Sequence, residues 1–447
     1  PGERDDRLVM EAKAAILEGI ELQRAEYAAI ADNPEPPTFA NTLVASQMAG
    51  EPLGRALAMF GVMTGNIGSP DYQAVQREVA PILTQAGNEI TFNERLFQRV
   101  KTVADNAAAH GLSAEQTRLA ERSRDAFVRN GAALDAAGKA ELGRINTALS
   151  NAFTSFGQKG VADENAWTVI PTEAGVAGLP ASNKAAAAAA ARSRNVEGWA
   201  IVNTRSSVDP FLSFGDDRAM REVVWRKFVN RGDNGDANDT NSIIADILRL
   251  RAERAQILGF PTHAHLRMAD TMAGTPERAQ DLMMRVWPAA VARVHDEVRD
   301  MQAIADRQRA NITIEPWDYL FYAEQVRRDR YNLDQNEVRE YFELNNMING
   351  MFFMAGELYG LTFREITGTV PVFQADVRVF EVSDRDGSYQ GLFYFDAFAR
   401  PGKRSGAWAS GYQGHETYTG TVVTPITSNN NNFVQAPNGQ PTLISLD

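Results

Sequence analysis

No cysteine occurs anywhere in the 447 residues. That removes disulfides, thiolate metal sites and a cysteine nucleophile together, and it suits cytoplasm and periplasm equally. Histidine is scarce: His110, His263, His265, His295 and His415 are the full set. Lysine is scarce beside arginine, seven against thirty-eight, but the arginines are spread along the chain and make no basic patch. No stretch approaches the roughly 20 apolar residues of a membrane span, so no membrane partner is expected. Acidic residues outnumber basic ones by 57 to 45, and a net charge of −12 opposes attraction to nucleic acid. The P-loop and the Gly-x-Ser-x-Gly elbow are both missing, which leaves phosphate-loop and serine-hydrolase chemistry without an anchor. The opening Pro-Gly-Glu-Arg-Asp-Asp carries neither an initiator methionine nor an apolar signal core. A processed start is therefore expected, with a periplasmic or secreted location favoured and a cytoplasmic one open.

What is present is apolar material in helical rhythm. With 44% hydrophobic and 23% charged residues, the chain can fill one large or two ordinary cores. Ile16, Ile20, Tyr27 and Ile30 recur on one helical face over residues 10–30, and Pro34, Pro36 and Pro37 stop that helix. Similar patterns predict helices over 41–60, 74–86, 93–109, 113–130 and 136–156. The segment 167–180 loses the helical period and reads as a connection or short strands, placing a boundary near residue 163. The expected organisation is an amino-terminal helical region, 1–163, and a second region, 164–447, of helices plus a small sheet. Seven alanines, 185–191, read as a short helix. Ile243, Ile247, Leu250 and Leu258 share a face over 241–259, with Asn241 or Ser242 as cap and Gly259 as terminator. Thr275-Pro276-Glu277 starts a helix running past residue 300, with a kink at Pro288. After Thr369 the texture turns β-like. Residues 377–382 and 392–395 flank an Asp386-Gly387 turn as a hairpin, and 405–410 is a third strand. The tail from Ser428 to Gln440, with four successive asparagines, reads as a loop.

None of the histidines makes a persuasive metal ligand. His415-Glu416 begins like the zinc motif His-Glu-x-x-His, but Thr419 stands where the second histidine belongs and the surroundings are turn-like; a loop histidine is the better reading. His263 and His265, two apart at a helix start, diverge and suit capping or packing. His110 sits at a helix end and His295 on a charged face. Asp233–Asp239 looks like a calcium loop but lacks its sixth-position glycine and distal glutamate, so a solvated loop capping the next helix is expected.

Several segments stand out together. They are Asn33-Pro-Glu-Pro-Pro-Thr-Phe-Ala-Asn-Thr-Leu43, Phe92-Asn-Glu-Arg-Leu-Phe-Gln-Arg99, Leu258-Gly-Phe260, Pro316-Trp-Asp318 with Tyr322-Ala-Glu324, and Asp376-Val-Arg-Val-Phe-Glu381. The most specific is Phe395-Asp396 with Ala399-Arg-Pro-Gly-Lys-Arg-Ser-Gly-Ala-Trp408, followed by Asn430–Phe433 and Gly439-Gln-Pro-Thr-Leu443. In this order, and over nearly the whole chain, they resemble the zinc metallopeptidases of the thimet oligopeptidase and bacterial peptidyl-dipeptidase (dipeptidyl carboxypeptidase) family. The resemblance implies a mainly α, elongated zincin-like body with a deep central channel for short peptides and a small sheet near the carboxyl end. It also implies peptide hydrolysis with one zinc ion, most readily as release of carboxyl-terminal dipeptides; internal cleavage or non-catalytic peptide binding are the alternatives. In the family the zinc helix follows the Gln-Pro-x-Leu-Leu-Ser segment closely, and the sequence stops at Asp447 before it. The expectation is that zinc ligands and catalytic groups lie outside this chain, on a carboxyl-terminal fragment of the same protein that completes a monomer, so no catalytic or metal residue is assigned. One element carries over. The strand before the zinc helix pairs with extended substrate, which assigns Gly406, Ala407 and Trp408 to substrate binding; the alternative is an ordinary strand with Trp408 as core.

Overall fold

The computed structural model describes residues 2–418, 420–436 and 439–444, leaving aside the side chains of residues 2–6, 335 and 336. It is mainly α-helical with a small sheet towards the carboxyl end. The chain opens with α1 (Gly2–Ala31), a π-helical turn (Phe39–Val44), α2 (Ala45–Met48), α3 (Glu51–Asn66), α4 (Pro70–Phe92), α5 (Glu94–Asp105), α6 (Ala114–Arg129) and α7 (Ala136–Glu164). Then come β1 (Trp167–Ile170), α8 (Ala181–Ser193), β2 (Trp199–Val202), α9 (Arg205–Phe214), α10 (Arg218–Val229), α11 (Asn241–Ile257), α12 (His263–Met268) and α13 (Pro276–Arg307). The last part holds α14 (Tyr319–Tyr331), α15 (Gln335–Arg339), α16 (Leu344–Tyr359), β3 (Thr362–Glu365), β4 (Arg378–Ser383), β5 (Tyr389–Phe398), β6 (Trp408–Gln413) and β7 (Ile426–Phe433). Contacts divide the chain into two units. One comprises residues 1–64, 68–159 and 240–285, the other 65–67, 160–239 and 286–447.

The first unit is built from amphipathic helices. Ile16 and Ile20 bury the α1 stripe against Leu53 and Phe60 of α3 and Val75 and Val79 of α4. Gly19 permits the close approach, because a Cβ there would lie 2.8 Å from the Leu53 Cα. Residues 41–60 are not one helix. Ala49 turns extended and Gly50 takes φ 84°, ending α2 before α3 begins. Arg99 explains why two of the family-like segments occur together. It lies buried on α5 and donates to the carbonyls of Asn33 (2.9 Å) and Glu35 (3.0 Å) and to Asn41 Oδ1 (2.9 Å). Asn41 in turn forms a capping box with Thr38, and Asn93 caps α5 through the Leu96 N–H. Ile247 and Leu250 of α11 pack on Ile145 and Leu149 of α7. The residue at the α11 cap position is Thr240, one earlier than Asn241. The helix ends as expected, with Gly259 at φ 79°. Thr275 caps the start of α13 through the Arg278 N–H, and the helix continues through Pro288.

In the second unit β1 and β2 pair antiparallel, and their apolar face packs with α8, α9 and α10 around Ile170, Ile201, Phe211 and Val224. The Asp233–Asp239 region wraps a buried carboxylate: Asp163 accepts from the Gly232 N–H (2.7 Å), Asn234 Nδ2 (3.2 Å) and Asn238 Nδ2 (2.9 Å). Donors converging on an anion are the opposite of a calcium site. Asp318, also buried, takes a bidentate Arg218 and a buried Arg221 at 2.9 Å. Burial acts to raise its pKa, but the bonds from Arg218 and Arg221 and the Glu315 backbone N–H outweigh that and hold it below the ordinary value.

The five-stranded sheet runs β3-β4-β5-β7-β6. β4 and β5 form the expected antiparallel hairpin, with Gly387 left-handed in its turn. The asparagine run is a correction: Asn429–Asn432 belong to β7, an inner strand parallel to β5 and antiparallel to β6. Asparagine is ordinarily depleted in strands, but here the side-chain nitrogens of Asn430 and Asn432 have partners. Asn430, fully buried, donates to Ser428 Oγ at 2.9 Å. Pro437 and Asn438 of the expected loop lie outside the described residues.

Candidate functional site: a free strand edge

β6 pairs on one side with β7, and among the described residues no strand covers its other side. Its side chains alternate. Trp408, Ser410 and Tyr412 are half-buried, whereas Ala409, Gly411 and Gln413 are exposed. The exposed face is thus mostly alanine and glycine, leaving room for another extended backbone to approach. On the inner side, Tyr412 donates to Ser428 Oγ at 2.6 Å, and its ring meets Tyr394 edge-on.

The strand starts at Trp408, not at Ser405. Gly406 has φ 88°, which a strand cannot accommodate. Asn432 bridges the gap, its Nδ2 donating to the carbonyls of Arg404 (2.8 Å) and Gly406 (2.7 Å) where ladder bonds would otherwise be. Gly406 and Ala407 are therefore exposed residues leading into the edge, and Trp408 is its first member. The exposed backbone at Ala409, Gly411 and Gln413 was missed in the sequence. The available signal was the aromatic pair Trp408 and Tyr412, which share one strand face while small Ala409 and Gly411 share the other.

The loop feeding this edge is held by buried charge. Asp396 of β5 is wholly buried and takes both terminal nitrogens of Arg400, at 2.8 and 2.6 Å. Arg400 Nε donates to the Asn66 carbonyl. Lys403 is buried beside them, its Nζ 3.0 Å from Asp396 Oδ1 and bonded to the Asp396 and Phe398 carbonyls at 3.2 and 2.9 Å. Burial pushes the Lys403 pKa down to about 8, with Asp396 opposing and Arg400 adding to the fall. Further on, the Gly402 N–H donates to Asn165, the Arg404 N–H to the Gly65 carbonyl, and Ser405 to Glu164.

His415 is exposed in the β6–β7 connection and Glu416 makes a bridge with Val423; Thr419 lies outside the described residues. His265 bonds Thr262, while His263 is driven to lower pKa by burial and then by Arg251, Arg254 and Arg267, surroundings that repel a metal cation. Among the described residues no three His, Asp or Glu side chains gather to hold a metal ion, so they do not supply a zinc site. Nor, among them, is any helix long and apolar enough to cross a membrane.

Residues 211–447, just over half of the chain, match the model of peptidase family M3. The chain belongs to that family. Its relatives include a dipeptidyl carboxypeptidase of Escherichia coli, 37% identical over 97% of this chain and 64% of that protein. Oligopeptidase A of Salmonella typhimurium is 29% identical over 89% of the chain and 59% of its own length. An organellar oligopeptidase A of Arabidopsis thaliana is 30% identical over 80% and 47%. The chain thus spans less than two thirds of the length of these M3 relatives. The segments singled out in the sequence are largely structural: Arg99, Asp318, Glu324 and Asp396, all buried, are their polar anchors.

Proposed function

We propose that this chain is part of a zinc peptidase that releases dipeptides from the carboxyl ends of short peptides, and that the β6 edge holds the substrate backbone. The observation that carries the reading is the uncovered edge of β6 with its small exposed face, in a chain of family M3. A strand edge binds by main-chain hydrogen bonds and so accepts many sequences, as a general peptidase must. Gly406 and Ala407 would lie beside the bound peptide and Trp408 would begin the pairing. The dipeptide mode is supported by the likeness to a dipeptidyl carboxypeptidase.

We place the zinc ion on polypeptide outside this chain, which spans 64% of the length of its dipeptidyl carboxypeptidase relative. That polypeptide has a surface to cover. Met354 and Leu358, one turn apart on α16, are each more than half exposed, as are Phe353 and Tyr359 of the same helix, and a carboxyl-terminal part of the same protein would pack there. The test uses the whole protein: zinc analysis, and mass spectrometry of products from a blocked and an unblocked test peptide. About one zinc per molecule and a ladder of dipeptides from the free carboxyl end are expected. Internal fragments would favour an oligoendopeptidase, as the likeness to oligopeptidase A suggests. Affinity for peptides without zinc or turnover would leave a binding protein.

A further inference from the structure

We propose that Lys403, clamped with Arg400 on Asp396, is a positioning residue for peptide binding: it sets the loop that aims the β6 edge. The inference rests on the reading of β6 as the substrate strand. The loop from Ala399 to Ala407 separates β5 from β6, and the two strands are not neighbours, because β7 lies between them. β6 is placed by its ladder with β7, in which Trp408 faces Asn430, and the side chains of the loop add a second tie; of these Lys403 joins both ends. Its Nζ holds two carbonyls and the carboxylate at the end of β5, and the same ammonium lies 5.9 Å from the centre of the Trp408 ring, the first residue of β6. Arg404 stands over that ring as well, at 5.4 Å.

A buried ion pair is a poor device for stability alone, since an apolar contact of similar size would serve as well or better. Its retention at this point fits a demand on geometry. The charged and titratable groups facing Lys403 are Asp396 of β5, Arg400 of its own loop and Asp376 of the segment before β4. With Asp396 held by Arg400 in any case, the proton on Lys403 decides whether its charge contacts with the Asp396 carboxylate and the Trp408 ring persist. The depressed value of about 8 puts its loss within reach of an ordinary assay.

The experiment compares the whole protein with its Lys403→Met variant in peptide hydrolysis, from about pH 6 to pH 10. For Lys403→Met a KM raised about tenfold is expected, with kcat within about twofold. The KM of the unaltered protein should rise as pH passes through the Lys403 titration near 8, and that rise should vanish in the variant. Equal KM values and equal pH profiles would overturn the proposal. Should the variant not fold, the unaltered protein decides alone: a KM flat across that range overturns it. If the unaltered whole protein hydrolyses no peptide, the functional reading fails and takes this inference with it; hydrolysis indifferent to Lys403 sinks only the inference.

Discussion

Replacing Asp396 by asparagine removes the carboxylate that Arg400 and the buried Lys403 share. Breaking a buried pair by deleting one partner costs about 3–5 kcal/mol, because the remaining charge is left uncompensated. Here the two cations respond differently. Lys403, already at about 8, can shed its proton near neutral pH for little further cost, and it keeps the Asp396 and Phe398 carbonyls as acceptors. Arg400 cannot deprotonate and retains only the Asn66 carbonyl and a long contact to the Phe398 carbonyl. The expected loss is therefore about 3 kcal/mol, the low end of the range. Urea unfolding followed by tryptophan fluorescence is a suitable assay, since all six tryptophans lie in the second unit. Adding Lys403→Met to Asp396→Asn should restore part of the loss. A loss below about 1 kcal/mol, or a double variant no more stable than Asp396→Asn, would refute the reasoning.

Other outcomes follow from the same structure. Asp318 has its folded pKa below the ordinary 3.8, so its contribution is present above that value and is lost as pH falls through the folded pKa; Asp318→Asn should flatten acid unfolding there, as tryptophan fluorescence against pH would report. Arg99→Lys cannot serve three acceptors in their present geometry and should destabilise the first unit by about 1–3 kcal/mol, measurable by far-ultraviolet circular dichroism during thermal unfolding. Gly406→Ala meets no atom within 4 Å but forces a side chain into the left-handed region, so a loss of about 1–2 kcal/mol is expected from strain alone.

The helical body was readable because its signal is local. The stripe of Ile16 and Ile20 repeats within a few residues and says which face is buried. The hairpin around Gly387 was readable for the same reason, since a turn residue stands between alternating runs. The asparagine run misled because composition alone makes it a loop; only Ser428, the strands on both sides and the carbonyls of Arg404 and Gly406 show where its amides bond. The strand that bears the candidate edge was legible to within a few residues, since it begins at Trp408, but a free edge is a property of strand order, and strand order depends on pairing between residues far apart in sequence. Likewise Asp396 could not be told from the other acidic residues until Arg400 and Lys403 were seen to converge on it.

The central claim is that the outer edge of β6 takes an extended peptide. Amide hydrogen exchange across the whole protein, with and without a non-hydrolysable peptide, tests it directly. New protection is expected at alternate amides within Trp408–Gln413, where outward N–H groups gain a partner. Protection arising elsewhere while these amides exchange as before would contradict the account.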